Sequence, residues 1–243
     1  MGLFDTKYCD ICGEKIKFLG NKKLEDGRMC KSCEAKLSPF FTGRRHTSLE
    51  SIKEQLAYRE ENKDEVAAFT VTRTLGKSKK VLIDEAAKKF MVTSAKDIQA
   101  ENPDVMSFSD ITGCTVDTDE SRYEEKTKDD DGNQVSYDPP RYRYSYSFQV
   151  ILNVNNPYFD EIKIPVDSGV NVDQKQVESG VYNAEYNECL SMCNEIKETL
   201  LNARNNAGDE REEQKAVICP LCGATTVPDK KGCCEYCGGA IAG

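Results

Sequence analysis

The most regular hydrophobic pattern lies in residues 142–154, where every second side chain is apolar or aromatic. A period of two is typical of a half-buried β-strand. The side chains on this face are Tyr142, Tyr144, Tyr146, Phe148, Val150, Leu152 and Val154. Shorter β patterns occupy residues 68–75, 79–93, 107–120 and 160–166. The third of these predicts a pair of strands interrupted at Gly113, and the whole region predicts an antiparallel sheet.

Helical periodicity replaces the β pattern in two places. Apolar residues in 182–200 recur at steps of four and three, which predicts a helix with one apolar stripe. The stripe consists of Tyr182, Tyr186, Cys189, Cys193, Ile196 and Leu200. Thr47 and Glu50 fit a T-x-x-E capping box, which predicts the start of another helix near residue 48. The apolar residues that follow it at helical spacing are Leu49, Ile52 and Leu56.

These patterns predict an α+β protein with one main domain and two small appended modules. Residues 68–206 form the domain, in which antiparallel strands make a small barrel or bent sheet capped by a terminal helix. Residues 47–67 form a linking helix that joins the domain to an N-terminal module at residues 1–46. A linker at 207–216 leads to a second small module at residues 217–243.

Four cysteines in two C-x-x-C pairs dominate the N-terminal module. About 30 residues cannot bury enough apolar surface to fold alone, and Zn²⁺ bound by four thiolates supplies the missing stability. Gly13 follows the first pair, two short strands come next, and the second pair opens a helix, which is the order of a treble-clef finger. The alternative, a redox dithiol, would need only one C-x-x-C pair and a thioredoxin-like βαβ context, which this sequence lacks. The predicted zinc ligands are Cys9, Cys12, Cys30 and Cys33.

The C-terminal module repeats this arrangement and predicts a zinc ribbon. Two C-x-x-C pairs are each followed by glycine, at Gly223 and Gly238. The predicted ligands are Cys219, Cys222, Cys234 and Cys237. Cys233 precedes Cys234 directly and could replace it as a ligand, but the pair with Cys237 would then be one residue wider. Because four protein ligands leave no open position, both predicted zinc ions have a structural role.

Composition and charge indicate the cellular compartment and limit the classes of partner that the chain can bind. Twelve cysteines without an export signal indicate a reducing compartment, so a cytoplasmic location is expected. Residues 51–215 carry 21 basic and 33 acidic side chains, a balance of −12 that repels polyanions. We therefore expect no membrane association, which flotation with anionic vesicles would check.

Residues that could support catalysis or bind other ligands are few. The single histidine, His46, precedes the capping box and is interpreted as a surface or hinge residue. Cys189 and Cys193 could share a metal, but both lie on the apolar stripe and are expected in the core. Residues 141–144 alternate Arg and Tyr and could stack nucleic-acid bases, although a core face with a basic outer face is simpler. The DDDGN segment at 129–133 lacks the alternating acids of a calcium loop and predicts a turn.

Two resemblances add to this architecture. The strand patterns of the middle domain, its long hairpin and its terminal helix resemble bacterial PH-like domains. The opening G-L-F-D-x-K-x-C-x-I-C-G at residues 2–13 and N-N-P-Y-F-D-E-I at residues 155–162 resemble an uncharacterised bacterial family with an N-terminal cysteine finger. The resemblance implies the same domain order and adds nothing on mechanism.

The sequence therefore predicts a non-enzymatic zinc protein that acts as an adaptor or regulator by binding another protein. The alternative is nucleic-acid binding through the N-terminal module, whose basic residues could form one patch. An enzyme is disfavoured because no positioned base accompanies a nucleophile. The basic residues of the possible patch are Lys15, Lys17, Lys22, Lys23, Arg28, Arg44 and Arg45.

Overall fold

The computed structural model describes residues 6–17, 19–212, 217–226, 233–234 and 236–240. Within these ranges the chain is a mixed α and β protein, and every paired strand is antiparallel. The helices are α1 (Lys31–Glu34), α2 (Leu49–Ala68), α3 (Ile98–Glu101), α4 (Gln174–Ser179) and α5 (Ala184–Glu212). The strands are β1 (Lys22–Lys23), β2 (Arg28–Met29), β3 (Arg73–Leu75), β4 (Lys80–Asp84), β5 (Lys89–Thr93), β6 (Val105–Ser107), β7 (Ile111–Lys128), β8 (Gln134–Val154), β9 (Glu161–Asp173), β10 (Val217–Ile218) and β11 (Thr225–Thr226).

A four-stranded sheet in the order β3-β4-β5-β6 opens the main domain. The predicted strand–turn–strand at residues 79–93 is the hairpin β4–β5. Asp84, which is 3% exposed, ends β4 and fixes this hairpin. Its carboxylate accepts N–H bonds from Ala87 at 2.9 Å and Thr70 at 2.8 Å, so one side chain holds both the turn and the approach to β3.

A three-stranded sheet in the order β7-β8-β9 follows. The strand pair predicted within residues 107–120 is wrong, because β7 is a single strand with a register shift between Ile111 and Gly113. β9 accompanies β8 only as far as Arg143, which pairs with Asp173. Beyond that point β7 and β8 continue as a two-stranded arm. The segment 129–133 turns at its tip, as predicted.

Helix α5 and the inner faces of both sheets form one hydrophobic core. Cys189, Cys193, Ile196 and Leu200 are fully buried, so the predicted stripe faces this core. In the described residues no strand of one sheet pairs with a strand of the other, so the predicted barrel is replaced by two open sheets. α5 continues to Glu212, well into the segment predicted as a linker. None of the described helices is both long enough and apolar enough to cross a bilayer.

Helix α2 links the N-terminal module to this domain, with two differences from the prediction. Its N-cap is Ser48, whose Oγ accepts the Ser51 N–H at 3.2 Å, rather than Thr47. Its buried face also extends beyond the predicted apolar residues and is mainly polar. The buried residues of α2 are Ile52, Gln55, Arg59, Asn62 and Val66.

A buried ion pair fastens α2 to the main domain. The Arg59 guanidinium donates to Asp104 Oδ1 at 2.8 Å, and Asp104 is completely buried before β6. Ser38, in the last part of the N-terminal module, donates to the other oxygen of Asp104 at 2.7 Å. Arg59 also donates to the carbonyl oxygens of Lys36 and Asn102. One buried carboxylate therefore joins the N-terminal module, α2 and the β-rich domain, and we call this network the Arg59–Asp104 junction.

The NNPYFDEI segment singled out in the sequence packs on the same side of the domain. The ring of Phe159 lies 5.3 Å from that of Phe40, and the ring of Tyr158 lies 5.3 Å from that of Tyr58 on α2. Asn156 donates to the Tyr58 hydroxyl at 3.3 Å. This segment therefore contacts the linking helix and the end of the N-terminal module.

Candidate metal centres

The four cysteines of the N-terminal module converge on one point. Their Sγ atoms all lie within 4.8 Å of one another. The Cys9–Cys33 and Cys12–Cys30 sulfurs are each 3.8 Å apart. A tetrahedron with Zn–S bonds of about 2.3 Å has sulfurs about 3.8 Å apart, whereas a disulfide needs about 2.05 Å. The spacing therefore fits four thiolates around one metal ion.

The C-terminal module shows the same geometry. The sulfurs of Cys219 and Cys237 lie 3.7 Å apart, as do those of Cys222 and Cys234. All four sulfurs again lie within 4.8 Å of one another. The structure thus brings together both sets of cysteines that the sequence predicts.

The same backbone turn carries Cys9, Cys219 and Cys234. In each case the cysteine N–H donates to the carbonyl five residues on, and the N–H four residues on donates back to the cysteine carbonyl. Glycine occupies that fourth position with φ between 69° and 74°, a left-handed conformation that a Cβ would strain. We call this turn a knuckle. It explains why C-x-x-C-G occurs three times.

The second pair of the N-terminal module is held differently, by a short helix. Cys30 caps α1, and its sulfur accepts the Cys33 N–H at 3.4 Å. The Cys30 N–H in turn donates to Cys9 Sγ at 3.3 Å. The order knuckle, hairpin β1–β2, helix agrees with the predicted order of elements.

The knuckle geometry distinguishes the two adjacent cysteines of the C-terminal module. The residue before each knuckle pairs with the residue six positions after the knuckle cysteine. These pairs are Tyr8 with Lys15, Ile218 with Thr225, and Cys233 with Ala240. Cys233 thus occupies the flanking position, and Cys234, which is 2% exposed, occupies the position of the first sulfur.

The thiols of each site have opposed pKa shifts. Burial raises the pKa of Cys9, but hydrogen bonds from the N–H groups of Cys12, Cys30 and Ile11 outweigh this effect. The resulting pKa is about 7. The N–H groups of Cys222 and Leu221 lower the pKa of Cys219 to about 6. The Ala224 N–H lowers the pKa of Cys222, but the neighbouring sulfurs and burial together raise it to about 12. A bound cation removes this opposition, because it favours the thiolate at every ligand.

A small hydrophobic cluster supports the N-terminal site. Met29 and Ile52 are fully buried there, and the cluster reaches the first turns of α2 through Leu49 and Leu56. Asp26 accepts the Leu49 N–H at 2.7 Å, which ties the module to the start of α2. The module and α2 therefore share one packed unit.

The basic residues of this module are partly neutralised. Lys22 and Arg44 form ion pairs with Glu34 at 2.7 and 2.9 Å. His46 lies exposed at the end of a short 3₁₀ turn, in keeping with a surface residue. Lys15, Lys17, Lys23, Arg28 and Arg45 are exposed.

Comparison with known proteins identifies one region. The protein-family model described as a domain of unknown function (DUF4428) matches residues 7–55. This span holds all four cysteines of the N-terminal site and the first turns of α2, which agrees with their shared packing. No curated protein and no solved structure matches the chain significantly.

Proposed function

We propose that each four-cysteine site binds one zinc ion with a structural role. The sulfur spacing supports this, since four protein thiolates at the edges of a zinc tetrahedron leave no position for a reacting water. The elements around each site support a treble-clef-like finger at the N-terminus and a zinc ribbon at the C-terminus. We use the names finger and ribbon for these modules below.

The purified chain is expected to contain two zinc ions and no other tightly bound metal. Eight convergent sulfurs form two complete ligand sets, and thiolate-rich tetrahedral sites favour zinc. Elemental analysis of protein prepared under reducing conditions measures this directly. A content of one zinc ion per chain, or none, after zinc loading would contradict the proposal for one or both sites.

We infer that the β-rich domain is PH-like and that the chain is a non-enzymatic adaptor acting in the cytoplasm. A four-stranded sheet, a three-stranded sheet and a terminal helix over a shared core support the PH-like interpretation. Three of the buried cysteines, Cys114, Cys189 and Cys193, line that core, where burial raises the pKa of each thiol. A thiol held protonated is a poor nucleophile, which supports a structural role for these residues.

The two faces of the β7–β8 hairpin at and beyond the base of the arm support the protein-binding proposal. The Arg122 guanidinium stacks over the Tyr142 ring at 4.6 Å, and that of Arg141 stacks over Tyr137 at 4.4 Å. Tyr123, at the base of the arm and on the opposite face of β7 from Arg122, is 59% exposed. Tyrosine and arginine are enriched in protein interfaces and among their strongest contacts. Stacked pairs also hold these side chains in place, so binding costs less conformational entropy.

Affinity capture with the full-length chain tests this role. The variant carries Arg122→Ser and Tyr123→Ser, and the control carries Glu60→Ser and Lys63→Ser on the exposed face of α2, which has no contact with the arm. A partner held by the wild type and the control but lost from the arm variant is the expected result. Capture of nucleic acid that falls steeply with salt would instead support the alternative function. The ion pairs of Lys22 and Arg44 make that alternative less favoured.

A further inference from the structure

The finger and the ribbon share a knuckle, so their surroundings can be compared position by position. Two residues after the first sulfur, the finger has Ile11, and the two ribbon knuckles have Leu221 and Tyr236. Ile11 is half-buried against the finger's hydrophobic cluster. Leu221 and Tyr236 are 70% and 72% exposed. The same apolar position is therefore packed in the finger and open to solvent in the ribbon.

The cysteine ligands are also more exposed in the ribbon than in the finger. In the finger only Cys12 is exposed, while Cys9 and Cys33 are buried and Cys30 is half-buried. In the ribbon two ligands, Cys222 and Cys237, are exposed. A chelator or competing thiol reaches a metal–thiolate site through its accessible sulfurs. The ribbon therefore offers two points of attack and the finger one.

The finger also keeps interactions that do not depend on the metal. Its cluster includes the fully buried Met29 and Ile52, and Asp26 and Asp10 each accept a backbone N–H at 2.7 Å. The Arg59–Asp104 junction holds the end of the finger through Ser38. These contacts keep the finger's sulfurs close together when the metal leaves, which favours rebinding.

The described part of the ribbon has much less support of this kind. Within residues 218–226, 233–234 and 236–240 the buried side chains are Cys219, Cys234 and Thr226. Two of these three are themselves ligands. The described residues thus contribute little packing, and a module of about 30 residues depends on its metal for folding.

We propose that the ribbon is the exchangeable zinc site of this chain and that the finger is the permanent one. The protein then has a two-zinc form and a one-zinc form, which differ only in whether the ribbon is folded. Zinc availability thereby controls whatever the ribbon contacts, while the finger and the β-rich domain remain intact. This inference rests on the proposed binding of two zinc ions.

The test follows zinc release from the loaded full-length chain into excess 4-(2-pyridylazo)resorcinol. Two phases of equal amplitude are expected, with rate constants at least tenfold apart. Near-UV circular dichroism reports the fold during release, because the chain has no tryptophan and Tyr146, Tyr182 and Tyr186 pack against one another. This tyrosine signal should remain unchanged through the fast phase.

Three variants assign the phases. Cys222→Ser should abolish the fast phase, and Cys12→Ser should abolish the slow one. Asp26→Ala removes the tie to α2 without touching a ligand, so it should accelerate the slow phase several-fold and leave the fast phase unchanged.

Specific results would overturn the proposal. These are a single phase, a fast phase that survives Cys222→Ser, or a slow phase that Asp26→Ala does not alter. A chain that never holds two zinc ions would instead contradict the proposed function, so the two failures are distinguishable.

Discussion

The Cys234→Ser variant will hold one zinc ion instead of two, and its ribbon will be unfolded. Cys234 is 2% exposed, and its sulfur lies 3.7 Å from that of Cys222, within the set of four converging sulfurs. Structural zinc supplies on the order of 10 kcal/mol to a small module, so loss of a thiolate removes most of the stability of the ribbon. Zinc bound after loading, measured with a colorimetric chelator in denaturant, gives the stoichiometry.

The neighbouring Cys233→Ser variant is the matched control and should retain both zinc ions. Cys233 takes the flanking position that Tyr8 and Ile218 take before the other two knuckles, where the side chain is not a ligand. If Cys233→Ser loses zinc and Cys234→Ser keeps it, the ligand assignment is wrong. Loss of zinc from both would mean that the flanking position also supports the site.

The Asp104→Ala variant will lower the free energy of unfolding by roughly 3–5 kcal/mol, because it leaves a buried guanidinium without its partner. Arg59 is 6% exposed and Asp104 is completely buried, so solvent screens the charge of this pair little. Ser38 loses its hydrogen-bond acceptor at the same time. Urea denaturation followed by far-UV circular dichroism on the zinc-loaded chain measures the change.

The exposed ion pair between Arg73 and Glu195 provides the control for this effect. Its side chains are 42% and 55% exposed, and its nitrogen and oxygen lie 2.9 Å apart. Glu195→Ala should therefore cost less than about 1 kcal/mol, as exposed pairs generally do. Equal losses for the two variants would show that the Arg59–Asp104 junction contributes no more than a surface contact.

The geometry of three of the four C-x-x-C pairs could be predicted because the relevant information is local. The knuckle is a short backbone turn, and both sulfurs and the glycine that permits it lie within five residues. The apolar stripe of α5 was predictable for a similar reason, since Cys189, Cys193, Ile196 and Leu200 follow one another at helical spacing. In each case neighbouring residues determine the geometry.

The Arg59–Asp104 junction could not be predicted in this way. Arg59 and Asp104 are separated by 45 positions, and each belongs to a residue type that is usually exposed. Residues 55, 59 and 62 are polar, so the buried face of α2 resembles a solvent-facing one. One signal was available, because they continue the spacing of Ile52 and lead to Val66. The extent of β7 and the absence of a closed barrel depend likewise on pairings between distant strands.

Anchoring of α2 at two separate places has a consequence for recognition. α2 has 20 residues and is therefore about 30 Å long, with the finger packed on its first turns and the junction near its middle. If the connection were flexible, a partner that contacts both the finger and the β-rich domain would have to restrict their relative motion. That restriction would cost conformational entropy on binding. In this chain the relative position of the two parts is already fixed by folding, so binding does not require this loss of entropy. A partner of suitable dimensions meets a surface of fixed spacing, and even a small change in the length of α2 would alter its fit to both halves at once.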